Sequence, residues 1–291
     1  MREFILATES NNDMSEEFLK KHNILVIPHY YTVEEEMYGD GKELSNHEFY
    51  EEMRSGKKAG TMASNPAVIL EKFTEVAEAG KDILFISFSS ELSGGYNNIC
   101  VGAKSVMEEH PEIQIRVVDT LSASLCEGIL LQKAAQLRGE GKNLSETADE
   151  LEKLVPNLAI QFTVENLDYL FRGGRLSKTS AVLGNMMNLK PILYVTDEGK
   201  LVALSKVRGR KKSISILVDN MEERIGGYKD KQVFIGILHG DCEEDAMYLQ
   251  DLVKERFGYE NEDFLIRPIG PSIGAHSGPG TLGIAFLADK R

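Results

Sequence analysis

The sequence predicts an α/β protein of two domains. The first reads as a three-layer α/β/α unit around a mostly parallel sheet, the second as a two-layer α/β unit with a mixed sheet. Three observations carry this. Short β-favouring apolar runs alternate with stretches of helical periodicity through the first half. Asp197-Glu198-Gly199, a hairpin signal, breaks that rhythm in the second half. The length, 291 residues, exceeds what one core comfortably fills.

Runs 4–7 and 24–27 read as strands. Asn65-Pro66, followed by Val68, Leu70, Phe73 and Val76, reads as a cap, a first-turn proline and an amphipathic helix. Strand 83–88 opens into a helix over 96–109, and strand 113–118 ends at Asp119-Thr120. A helix over 122–138 shows Leu125, Ile129, Leu130 and Ala134 on one face, and another follows over 144–154. Such alternation implies right-handed crossovers and a parallel sheet covered on both sides. Pro156-Asn157 then divides the chain into domains 1–156 and 157–291.

In the second domain, strand 158–164 precedes Arg172-Gly173-Gly174-Arg175, which interrupts a helical stretch, and a helix over 177–187 follows. Runs 191–196 and 200–206 flank the hairpin turn, and helix 211–225, strand 232–238, helix 242–257 and strand 263–269 complete the unit. No low-complexity linker separates the halves, so the expected domains pack closely around a cleft.

A formal charge of −13 argues against nucleic acid as the main partner. No run reaches the roughly eighteen apolar residues of a membrane span, which leaves only transient membrane contact. The N-terminus enters a strand pattern without a signal peptide's layout, so the expected location is cytoplasmic. Cys100, Cys126 and Cys242 are scattered and form no C-x-x-C pair, which favours free thiols over a disulfide framework or a zinc site.

The stretch "SSELSGGYNN", residues 89–98, lies where strand 83–88 passes into a helix. In open α/β sheets ligands gather beyond the carboxyl ends of strands. Gly94 and Gly95 allow a close backbone approach, the helix start offers unpaired N–H groups, and serine hydroxyls add neutral hydrogen bonds. That chemistry suits a carboxylate or a phosphate, although a cap and a turn read the same way. Neither a P-loop nor a G-x-G-x-x-G fingerprint is present, so a nucleotide is disfavoured. Residues 61–66, "TMASNP", and 274–283, "GAHSGPGTLG", are two more hydroxyl-rich or glycine-rich elements. Together the three suggest a polar binding mouth.

Ser93, His276 and Asp119 also spell a hydrolase triad, but Leu-Ser-Gly-Gly is not the G-x-S-x-G elbow that exposes a nucleophile. His239 with Asp241, Cys242, Glu243, Glu244 and Asp245 invites a metal reading. The expectation is instead that Asp241 caps the following helix and the acids complement its dipole. Asp119-Thr120 reads as a cap before a magnesium site. Two basic islands, Arg172 with Arg175 and Arg208 with Arg210, Lys211 and Lys212, read either as solvated faces or as docks for a partner or a phosphoryl group.

The ordered set of motifs resembles the DegV family of bacterial fatty-acid-binding proteins over essentially the whole chain. It runs through Thr8-Glu9-Ser10, 61–66, Ser89 to Tyr96, Val118-Asp119-Thr120, 167–175, Lys190-Pro191-Ile192-Leu193, "KVRGRKK" at 206–212 and "GAHSGPGTLGIAF" at 274–286. The resemblance implies one long-chain fatty acid, such as palmitate or oleate, held between the domains. It implies that Thr61 and Ser93 bind the carboxylate. Gly94, Gly95, Asn97 and His276 are the expected head-group neighbours, with His276 serving either the carboxylate or its own glycine-rich turn. It also implies a non-catalytic role, without metal or cofactor, in which the acyl chain is presented to a fatty acid kinase. Arg172, Arg175, Arg208 and Arg210 are then the expected docking residues. The rival expectation is an acyl hydrolase using Ser93. Glu9 stands where the family usually has Asp, Met62 where Ser is common, and Gly95 where Thr is common.

Overall fold

The computed structural model describes residues 2–176 and 189–291, and the helix expected over 177–187 lies outside the described residues. The chain opens with β1 (Phe4–Glu9), α1 (Glu16–Lys21) and β2 (Leu25–Ile27). There follow β3 (Tyr30–Val33), β4 (Glu36–Tyr38), α2 (Asn46–Arg54) and β5 (Ala59–Met62). Then come α3 (Pro66–Glu78), β6 (Asp82–Ser87), α4 (Gly95–Glu109), β7 (Ile115–Asp119), α5 (Leu125–Gly139) and α6 (Leu144–Leu154).

Strands β2, β1, β6 and β7 lie side by side in that order and every pairing is parallel. Both faces are covered, as the continuous apolar strands require. Ile69, Phe73, Ile99 and Val106 of α3 and α4 pack on Ala7, Ile83 and Phe85. On the other face α5 and α6 pack on Leu6, Leu84 and Ile86. The expected cap at α3 is present: Asn65 accepts the Ala67 N–H at 3.0 Å ahead of Pro66.

The second sheet is built from β8 (Leu158–Thr163), β9 (Leu189–Val195), β10 (Leu201–Arg208), β11 (Ile235–His239), β12 (Phe264–Pro268) and β13 (Leu282–Leu287). Its order is β10-β9-β8-β13-β11-β12, and only β11 and β12 pair parallel. Helices α8 (Arg210–Ile225) and α9 (Glu243–Phe257) cover its outer face through Ile214, Leu217, Met221 and Leu249. A short α7 (Asp168–Arg172) follows β8, and α10 (Pro271–Ser277) precedes β13.

Helix α5 departs from expectation. It starts at Leu125 because Leu121 and Ser124 carry positive φ values of 45° and 56°, which no helix continues. It is buried almost all round, since the parallel sheet lies against one side and the mixed sheet against the other. A helix apolar on every side belongs in a core. One continuous core therefore runs from Leu6 and Ile86 through Ile129 and Leu130 to Ile160, Leu238 and Ala285.

The small antiparallel sheet β4-β3-β5 and helices α2 and α10 were not among the expected elements. They form a cluster of their own around Tyr31, Phe49, Tyr50 and Ala275. Asp241 is not the expected helix cap. Its side chain turns across to His47, 3.1 Å away, and to Arg54, both on α2, and α9 begins without a side-chain cap. The Tyr50 hydroxyl donates to the Ile269 carbonyl at 3.0 Å, which ties the same two regions.

Candidate functional site

The carboxyl ends of β1 and β6, the end of β5 and helix α10 converge on one point. Strand β5 pairs with β3, with Thr61 opposite Tyr31, and α10 packs beside it. This brings the Thr61 Oγ1 to 2.7 Å from the His276 Nε2. Gly173 lies against the other ring nitrogen: a Cβ there would sit 2.1 Å from His276 Nδ1. That position has no room for a side chain.

Ser93 closes the turn after β6. Its hydroxyl accepts the Gly95 N–H at 3.0 Å, which closes the turn, while α4 starts from Gly94 without a side-chain cap. A hydroxyl that accepts still has its proton to give, and Ser93 lines a cavity together with Thr61, His276 and Arg175. Gly95 is a glycine for space: a Cβ would meet Glu9 Oε1 at 2.8 Å and Ser93 Oγ at 3.2 Å. Glu9 is fully buried, with Oε2 accepting from the Ser87 hydroxyl at 3.1 Å and the Phe88 N–H at 2.9 Å. Its Oε1 lies 3.2 Å from the His29 Nε2. The two family departures at 9 and 95 therefore meet in space. The longer carboxylate of Glu9 occupies room that a side chain at 95 would need.

The cavity encloses about 130 Å³. Its apolar wall includes Phe88, Leu92, Ile160, Phe162, Leu201 and Ile273, drawn from both domains. Arg175 is the one permanently charged side chain among the described lining residues. It is half-buried, with Nε donating to the Leu92 carbonyl at 3.1 Å and Nη1 to the Gly173 carbonyl at 2.6 Å. Burial, with a smaller push from the Arg175 charge, brings the His276 imidazole down to about 4, so it is neutral at pH 7. The positive charge of the site is that of Arg175, while Thr61, Ser93 and His276 supply neutral hydrogen-bonding groups.

The other expected site residues are distributed as follows. Gly94 lines the cavity mouth. Asn97 is exposed and faces away; the next residue, Asn98, points inward and donates to the Ser64 carbonyl at 3.1 Å. Arg172 is exposed, its guanidinium 4.8 Å from the Tyr169 ring, so it and Arg175 are not one island. Arg208 is exposed at the end of β10. Arg210 is engaged by Asp245 at 2.8 Å and Glu165 at 3.7 Å, which takes it out of a free docking surface. The hydrolase triad is not assembled: His276 bonds Thr61, and Asp119 accepts the Leu121 and Ser90 N–H groups. Sequence reasoning did not single out Asn11, His29 or Ser124, which also line the cavity.

A family model described as "Uncharacterised protein, DegV family" matches residues 4–289. The chain belongs to the DegV family. A DegV domain-containing protein of Clostridium perfringens is 36% identical over 293 residues, which cover 100% of this chain and 99% of the relative. A DegV family protein of Thermus thermophilus, described as fatty acid binding, superposes with a TM-score of 0.86 at 28% identity, covering 99% of this chain and 100% of its own. One of Ruminococcus gnavus, refined with vaccenic acid, superposes with a TM-score of 0.87 at 25% identity, covering 97% and 99%. The α/β architecture is thus that of the DegV family. Among the described residues, no helix is long and apolar enough to cross a membrane.

Proposed function

We propose that this DegV family chain binds one long-chain fatty acid between its domains and presents the carboxyl end to a fatty acid kinase, without a catalytic centre of its own. The observation that carries this reading is the composition of the cavity. Arg175, Ser93, Thr61 and His276 gather at one place, and aliphatic and aromatic side chains from both domains make up the wall beyond them. Arg175 meets the carboxylate charge, and the serine and threonine hydroxyls orient it. The fatty acid binding described for the relative from Thermus thermophilus, and the vaccenic acid of that from Ruminococcus gnavus, support the ligand class.

The tail dominates affinity. About 14 buried methylenes at about 0.8 kcal/mol each give a gross gain near 11 kcal/mol, against roughly 1.5–3 kcal/mol for each hydrogen bond to a charged head. A cavity of about 130 Å³ is smaller than the roughly 300–1,000 Å³ typical of small-molecule sites. Admission of a long chain therefore requires flexible lining side chains such as Leu92, Leu201 and Ile273 to move apart. Kinase presentation rests on the exposure of Arg172 and Arg208 on a chain whose formal charge is −13.

Titration of the delipidated chain with oleate tests the ligand class. Saturable binding of one oleate per chain, weakened in Arg175→Gln and Ser93→Ala, is expected. Absence of saturable binding contradicts the reading.

A further inference from the structure

The cavity wall contains polar atoms that a plain hydrocarbon tail leaves unpaired. Asn11 is 3% exposed and Ser277 5% exposed, both line the cavity, and neither Asn11 Oδ1 nor Ser277 Oγ has a hydrogen-bond partner among the described residues. They come from opposite halves of the chain, Asn11 from the turn after β1 and Ser277 from the end of α10. His29 and Ser124 continue the same polar wall, held by Glu9 and by Asp13 respectively. A buried polar group without a partner is costly, and natural structures satisfy nearly all of them. Two such groups in one small cavity call for a partner on the ligand.

We propose that the ligand is an acyl chain carrying a hydroxyl group, which pairs with Asn11 and Ser277. This rests on the fatty acid reading and narrows it. A hydroxyl both donates and accepts, so it can serve an amide and a serine together. The partner is neutral. The carboxyl groups of Glu9 and Asp13 stand directly behind His29 and Ser124, and a second ligand carboxylate or a phosphate there would face them. A hydroxyl brings no charge against them.

Competition on the full-length, delipidated chain tests this. The protein is offered equal amounts of stearate and a set of hydroxystearates with the hydroxyl near the head, at mid-chain or near the tail, and the retained acids are quantified by mass spectrometry. One positional isomer should be enriched about five- to tenfold over stearate, the worth of one neutral hydrogen bond. The enrichment should fall toward one in Ser277→Ala and in Asn11→Ala. Equal retention of stearate and every hydroxystearate by the native chain overturns the proposal, with water filling the polar wall, and needs no variant to fold. Enrichment that survives in both variants also overturns the assignment to these residues. Retention of no acid at all overturns the fatty acid reading itself.

Discussion

Thr61 and His276 stand 215 residues apart in the chain and are joined by a 2.7 Å hydrogen bond between Oγ1 and Nε2. The contact places the end of β5, in the first half of the chain, against α10, in the second, at the polar end of the cavity. Gly173 makes it possible by leaving the other ring edge uncovered.

Gly173→Ala should break that relationship. Its Cβ would have to share space with His276 Nδ1, so the imidazole must rotate away from Thr61. Fatty acid affinity is expected to fall about tenfold or more, with overpacking costing roughly 1–3 kcal/mol of stability. Unchanged affinity with unchanged melting would show that the ring has freedom to move.

The pH dependence of stability should report on His276. Its folded value of about 4 lies below the ordinary 6.5, so the unfolded chain binds the extra proton more readily. The neutral imidazole therefore contributes stability that is complete above pH 6.5 and is lost as pH falls toward 4, by up to about 3 kcal/mol. His276→Gln has no such proton, so the stability difference between wild type and variant should shift in favour of the variant over that window. A difference that stays flat from pH 7 to about 4 contradicts the buried neutral state. Loading with fatty acid should raise the His276 value, because a carboxylate beside it favours the imidazolium.

Glu9 and Gly95 should be energetically coupled. Gly95→Thr alone forces a Cβ to 2.8 Å from Glu9 Oε1, and is expected to destabilise by roughly 1–3 kcal/mol. Shortening the acid in the double variant Glu9→Asp with Gly95→Thr should recover part of that loss. A double-mutant cycle should return a coupling of about 0.5–3 kcal/mol. Additive single effects would mean that the two positions do not share the space.

The arginines should separate by role. Arg208→Ala is expected to leave lipid content intact and to lower acyl-phosphate formation with the proposed kinase partner, the loss growing with salt. Arg210→Ala should instead destabilise the C-terminal unit, because Asp245 loses its cation and Glu165 is left with Lys190 alone. Loss of bound lipid in Arg208→Ala would move that residue from the surface into the pocket.

Much of the fold was legible because its signals were local. The apolar run of β6 and the Asn65-Pro66 start of α3 follow directly from period and capping chemistry. Strands β3, β4 and β5 were not, since three- and four-residue strands rich in Tyr, Thr and Glu carry too little pattern. Helix α10 hid behind its glycines. Pro271 at its first position was the available signal, and Gly274 is there because a Cβ would meet the Tyr50 hydroxyl at 2.5 Å. At the site, Thr61, Ser93 and His276 were singled out and lie together. Asn97, exposed on α4, is not among the described residues that line the cavity. Asn11 and His29 gave no local sign, because their importance comes from contacts between distant segments.

Organic extraction of the protein purified without delipidation, followed by mass spectrometry, tests the central claim most directly. The account predicts close to one long-chain acyl group per chain, retained through purification because the tail is buried. A chain that carries no acyl group, and takes up none when incubated with palmitate, oleate or a hydroxystearate, would contradict it.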